Sequence, residues 1–140
     1  MASLKILILP ISVTYIAPNS FGNCQNLERM EIAPENLVYS SVNNCIVNKS
    51  SKSIVAGCSA SIIPSDGSVT GIEGSAFYGF RENFTSIEIP SSITSIKADA
   101  FVYCNNLKTT IGSGWVKASD NSDMPSDTEL WKLSDDIKRK

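Results

Sequence analysis

Apolar and polar residues alternate in short bursts along this chain of 140 residues, and the bursts recur. Leu27-Glu28-Arg29-Met30-Glu31-Ile32 and Phe84-Thr85-Ser86-Ile87-Glu88-Ile89 each end in strict apolar/polar alternation. That is the period-two pattern of a strand with one face buried. Proline closes the strand at Pro90 and, near the start of the chain, at Pro10, because it has no N–H to give to a ladder. A pair of apolar residues at spacing three follows: Val13 and Ile16, Val69 and Ile72, Ile93 and Ile96. These turn apolar groups back inward. Ser75-Ala76-Phe77 and Asp99-Ala100-Phe101 then predict a short helical turn, and Cys24, Phe80 and Cys104 each stand three residues after a phenylalanine. One such unit holds too few apolar groups to bury them alone, whereas stacked units bury them between one another.

The spacings support a repeat. Pro10 to Phe21 and Pro90 to Phe101 are both eleven residues. Pro64 to Phe77 is thirteen, with Asp66-Gly67 as a two-residue insertion in a turn. Phe77 to Phe101 gives a repeat length of twenty-four, within the range of about 20 to 50 residues that marks a stacked-repeat array.

The run I-x-I-P-S-S-I-T-S-I-x-x-x-A-F-x-x-C-x-x-L, from Ile87 to Leu107, resembles the BspA-type leucine-rich repeats. The resemblance covers residues 4–111 and is most complete over residues 84–107. It implies an α/β chain built as a short right-handed leucine-rich-repeat solenoid. A parallel β-sheet would line the concave face, with short turns and helical turns on the convex face. It also implies a β-hairpin insertion at about 44–56, with Lys49-Ser50-Ser51-Lys52 joining Ile46-Val47 to Ile54-Val55. Two departures stand out. Pro34 follows Ile32 by two positions instead of one, and Thr109-Thr110 occupies positions where apolar groups are expected, so the last repeat reads as degraded. The array is accordingly expected to span residues 1–114. Residues 115–140 form a capping or tail segment, where the capping-box pattern Ser126-Asp127-Thr128-Glu129 and Leu130, Leu133 and Ile137 predict an amphipathic helix over about 128–138 that covers the open end of the last unit.

Composition narrows the chemistry. The apolar fraction is 42%, enough for a core, and the formal net charge is −2. The one basic run, Lys138-Arg139-Lys140, is a solvated terminus, so no nucleic-acid partner is expected. No segment approaches the roughly 18 apolar residues of a membrane-spanning helix. Ile6-Leu7-Ile8-Leu9 after Lys5 reads as a repeat strand and not as a secretory leader, and the chain begins inside its array in the manner of a piece of a longer protein. Histidine is absent, which excludes Ser-His-Asp, Cys-His and His-based zinc sites. No C-x-x-C, G-x-x-x-x-G-K-[ST] or G-x-G-x-x-G run occurs, so neither a metal nor a cofactor is expected. Glu31 and Glu88 hold equivalent strand positions, but an open face gives a carboxylate pair no cleft, and no enzyme is expected. The sequons Asn48-Lys49-Ser50 and Asn83-Phe84-Thr85 match at the level chance allows.

Cys24 and Cys104 hold equivalent places about three units apart, roughly 14 Å at ~4.8 Å per strand. That exceeds the ~7 Å reach of a disulfide, so they read as small buried hydrophobes. Cys45 and Cys58 flank the hairpin, and their pairing is left open.

The residues between buried strand positions face outward. They form one column of Ile8, Glu31, Ile62 and Glu88 and a neighbouring column of Ile6, Arg29, Ala60 and Ser86. Exposed isoleucines beside charged groups on a flat sheet fit a protein surface or an extended peptide. Ile6, Ile8, Arg29, Glu31, Ile62, Ser86 and Glu88 are therefore the candidate partner-binding residues. The resemblance implies a microbial cell-surface or secreted adhesion protein that binds extracellular-matrix or cell-surface proteins. A structural spacer and a cytoplasmic scaffold are the alternatives.

Overall fold

The computed structural model describes residues 4–21, 24, 26–78, 86–97, 100–101, 104, 109–112, 115–117 and 131–133. Alternation makes the strands. In chain order they are β1 (Ile6–Leu9), β2 (Arg29–Ile32), β3 (Tyr39–Val42), β4 (Cys45–Asn48), β5 (Ser53–Ala56), β6 (Gly71–Ile72), β7 (Ser86–Ile89), β8 (Ser95–Ile96), β9 (Thr109–Gly112), β10 (Trp115–Lys117) and β11 (Trp131–Leu133). In β2, Met30 and Ile32 are buried while Arg29 is exposed, and in β7 Ile87 and Ile89 are buried on either side of exposed Glu88.

Two sets of parallel pairings record the repeat. β1 pairs with β2 in the register Ile6↔Arg29 to Leu9↔Ile32, and β7 pairs with β9 from Ser86↔Thr109 to Ile89↔Gly112. These are separate two-stranded sheets, and a five-stranded sheet runs in the order β3-β4-β5-β6-β8. Its β5-β6 and β6-β8 pairings are parallel, with Ile54, Ile72 and Ile96 in one register. Backbone hydrogen bonds continue the stacking beyond the strands. The N–H groups of Thr94 and Lys97 donate to the carbonyls of Thr70 and Ile72 at 2.8 and 3.0 Å. Between the layers lies a core that includes Leu27, Met30, Ile46, Ile54, Ile72, Phe77, Ile89, Ile93 and Phe101.

β3, β4 and β5 form an antiparallel meander. Two turns shape it. Asn43 and Asn44 link β3 to β4 with φ of 49° and 65°, the left-handed pair that a two-residue hairpin needs. Residues 49–52 link β4 to β5, where the Asn48 carboxamide oxygen accepts from the N–H groups of Ser50 and Ser51. β5 then does two jobs. It is the return strand of the meander and also stands in the repeat register beside β6.

Two expectations need correction, and a third gains detail. The Ala-Phe segment is not helical, and the described residues contain no helix. Ala76 and Tyr78 donate to Glu73 and Ser75 in isolated turns, but the Phe77 N–H donates sideways to Ala100 of the next unit at 2.9 Å. A donor engaged between units is not available to a helical ladder. Thr109-Thr110, read as a degraded end of the array, still pair in β9 in register with β7, since a backbone ladder does not depend on apolar side chains. The helix expected over 128–138 is contradicted at Trp131–Leu133, which pair antiparallel with Trp115–Lys117. The capping-box residues 126–129 and Leu130 and Ile137 lie outside the described residues, as do Phe80, Phe84, Leu107 and the Asn83 sequon.

Candidate functional site

The register of β1 on β2 sets Ile6 beside Arg29 and Ile8 beside Glu31. Ile6 and Ile8 are 52% and 60% exposed. On β2 the Arg29 guanidinium donates to both Glu31 carboxylate oxygens, Nε to Oε2 at 2.7 Å and Nη2 to Oε1 at 3.2 Å. Residues two apart on a strand share a face, so this fork lies flat along β2. The hydrogen bond holds the Glu31 carboxyl below its ordinary value and the Arg29 guanidinium above its own. Both groups are well hydrated, so the pair orients the charges more than it stabilises the fold. The result is a patch with two bare isoleucines on one strand and an ordered ion pair on the next.

The remaining candidates do not join it. The expected columns run unbroken through Ile62 and Glu88, but the β3-β4 turn intervenes. The Met30 N–H donates to the Asn44 carboxamide oxygen and the Ile32 N–H to the Ser41 hydroxyl, both at 3.1 Å. Side chains of the hairpin thus occupy the edge of β2 that a next parallel strand would use. On the far side of the turn the Ile62 N–H donates to the Asn43 carbonyl at 3.0 Å. Ile62 is 66% exposed but sits in no strand, and Ala60 is half-buried beside the same turn. Ser86 and Glu88 belong to β7, which pairs with β9.

Two residues outside the expected set organise the region. Asn36 is fully buried. Its amide nitrogen donates to the carbonyls of Pro10, Ile11 and Val13, and its oxygen accepts from the N–H groups of Val38 and Tyr39. It therefore ties the connection after β1 to the start of β3. Asn44 is the second, through its bond to Met30. The available sequence signal was the dipeptide Asn43-Asn44 between Val42 and Cys45, since asparagine tolerates the left-handed region. Nothing local marks Asn36.

All four cysteines are buried free thiols. Burial pushes the Cys45 thiol up to about 12 and raises that of Cys58, which leaves both poor nucleophiles. Among the described residues there is no group of three or more metal-ligating side chains, and no helix is long and apolar enough to cross a membrane.

The stacked units and their phrase match the family described as BspA type Leucine rich repeat region, in six copies over residues 1–118. The chain belongs to this family. Among solved structures it is similar to a leucine-rich repeat protein from Eubacterium ventriosum (22% identity, TM-score 0.55, 79% of this chain and 37% of that one). It is also similar to the pneumococcal vaccine antigen PcpA (19%, TM-score 0.59, 79% and 28%). A third likeness is to a leucine rich cell surface protein from Faecalibacterium prausnitzii (26%, TM-score 0.60, 77% and 29%). The chain spans about a third of the length of each. No curated protein matches it.

Proposed function

We propose that the chain is a non-enzymatic protein-interaction module, a short right-handed solenoid within a microbial cell-surface or secreted adhesin. The observation that carries this reading is the β1-β2 patch. Ile6 and Ile8 stand more than half exposed on a strand face beside the Arg29–Glu31 pair. An apolar centre flanked by oriented charges is the anatomy of a protein-binding surface. The parallel pairings at one-repeat offsets support the solenoid, with the patch on its concave side. The family and the likeness to a cell surface protein support the location. A protein partner of host matrix or cell-surface type fits best, approaching as an extended peptide or a flat domain face.

The test is binding of the purified chain to immobilised extracellular-matrix proteins. It is compared with Ile8→Lys combined with Glu31→Lys, folded by circular dichroism. Saturable binding lost in the variant supports the reading. Binding that survives the variant overturns the assignment to this face. Silence across the whole panel overturns the adhesin and leaves a spacer.

A further inference from the structure

The connection after β1 and the β3-β4-β5 meander enclose an open cleft of about 580 Å³, lined by Thr14, Tyr15, Tyr39, Asn48, Ser51 and Glu73 together with apolar neighbours. That is the size of a small-ligand site. Tyr39 and Asn48 are direct cross-strand partners, so their side chains share one face of the hairpin. The Tyr39 hydroxyl oxygen accepts the Ile16 N–H at 3.0 Å, which leaves its own proton to donate. The Asn48 carboxamide oxygen is filled by the N–H and hydroxyl of Ser50 and the N–H of Ser51. Its amino group has no partner among the described residues. Glu73 is pinned by a backbone bond from its N–H to the Ile54 carbonyl at 2.9 Å, and its carboxylate has no partner among the described residues. Tyr15 is 73% exposed at the rim.

These groups select a ligand by what each class leaves unmet. A cation satisfies Glu73 and stacks on a tyrosine ring, but it sets the Tyr39 and Asn48 donors against a ligand that accepts nothing. An anion fills those donors and is repelled by Glu73. An apolar ligand strands all three. A neutral polyol offers hydroxyls that both donate and accept, and a pyranose ring adds an apolar C–H face for Tyr15. We propose that this cleft binds a neutral sugar residue, a hexose or N-acetylhexosamine. The cleft lies against the meander and shares no residue with the β1-β2 patch, so the two assignments stand or fall separately.

The test titrates the intact chain with methyl glycosides of neutral hexoses and of N-acetylglucosamine. Butylammonium serves as the cationic probe and N-acetylneuraminic acid as the anionic one, and the tyrosine ring signals are followed by NMR. The expected result is a saturable shift of Tyr15 and Tyr39 signals with a neutral glycoside. Kd rises at least tenfold in Tyr15→Ala and in Glu73→Gln, with thermal midpoints unchanged. A neutral trisaccharide run alongside separates sources. Tighter binding than the monosaccharide assigns a glycan chain, equal binding assigns a single residue, and both uphold the proposal. Response to the ammonium or anionic probe alone, response to none, or binding indifferent to both substitutions overturns it.

Discussion

Phe77 and Phe101 stack ring on ring, with centroids 5.1 Å apart and planes within 8°. They hold the same place in successive units, and the Phe77 N–H donates to the Ala100 carbonyl between them. The column ends one unit earlier, at Gly57. Its N–H donates to the Ala76 carbonyl at 2.9 Å, which makes Ala56-Gly57 the counterpart of Ala76-Phe77 and Ala100-Phe101. A Cβ on Gly57 would run into the Phe77 ring, so the column terminates where the side chain is absent.

Phe101→Ala is expected to lower stability by about 3–5 kcal/mol, because the ring is fully buried. Urea unfolding measures it. A loss below about 1 kcal/mol would remove the ring stack from the core account.

Gly57→Ala is expected to cost about 1–3 kcal/mol through overpacking against Phe77. In a Phe77→Ala background the same change becomes nearly neutral. A double-mutant cycle on thermal or urea unfolding reads that coupling, and additive effects would show that the clash is not the cause.

Asn36→Ala removes a side chain that serves three carbonyls and two N–H groups, and of these the Pro10 carbonyl keeps the Val13 N–H as a donor. A loss of about 2–4 kcal/mol is expected, given about 1–3 kcal/mol for a buried group left unsatisfied. Asn36→Asp keeps the acceptor but turns a carboxylate toward the carbonyls, and at pH 7 it should be no more stable than the alanine variant. Urea midpoints of the two variants check this.

Cys45 gives a pH dependence of defined sign. Burial raises its thiol from 9.0 to about 12. Above the lower value the unfolded chain loses a proton that the folded chain keeps, so stability falls as pH rises through that window. The slope from this group is up to about 1.4 kcal/mol per pH unit, and below pH 9.0 the group contributes no pH dependence. Unfolding of wild type and Cys45→Ala from pH 8 to 11 isolates it: the gap between them narrows as pH rises. A constant gap would mean that the thiol ionises normally in the fold.

Much of the fold was legible because it is periodic. Ile87-x-Ile89 and Met30-x-Ile32 announce strands with one buried face, and Phe77 and Phe101 announce the stacked core. Residues 49–52 were legible as a turn from their polar run. Asn36 was not, because its partners at Pro10, Ile11 and Val13 lie far away along the chain. The candidate face was half legible. Ile6, Ile8, Arg29 and Glu31 come together because β1 and β2 pair at one repeat. Ile62 and Glu88 do not join them, since the Asn43-Asn44 turn enters the sheet where repeat counting placed the next strand.

The unit is written locally in the residues: the alternation that makes a strand, the apolar pair that turns inward and the phenylalanine that stacks. These are local choices fixed by side-chain period and backbone sterics. How the interruption is absorbed is set instead by long-range contacts. β5 enters the repeat register while the Ser41 and Asn44 side chains satisfy the edge of β2. That outcome depends on which donors and acceptors meet once the chain is folded, and every buried backbone group must find a partner there.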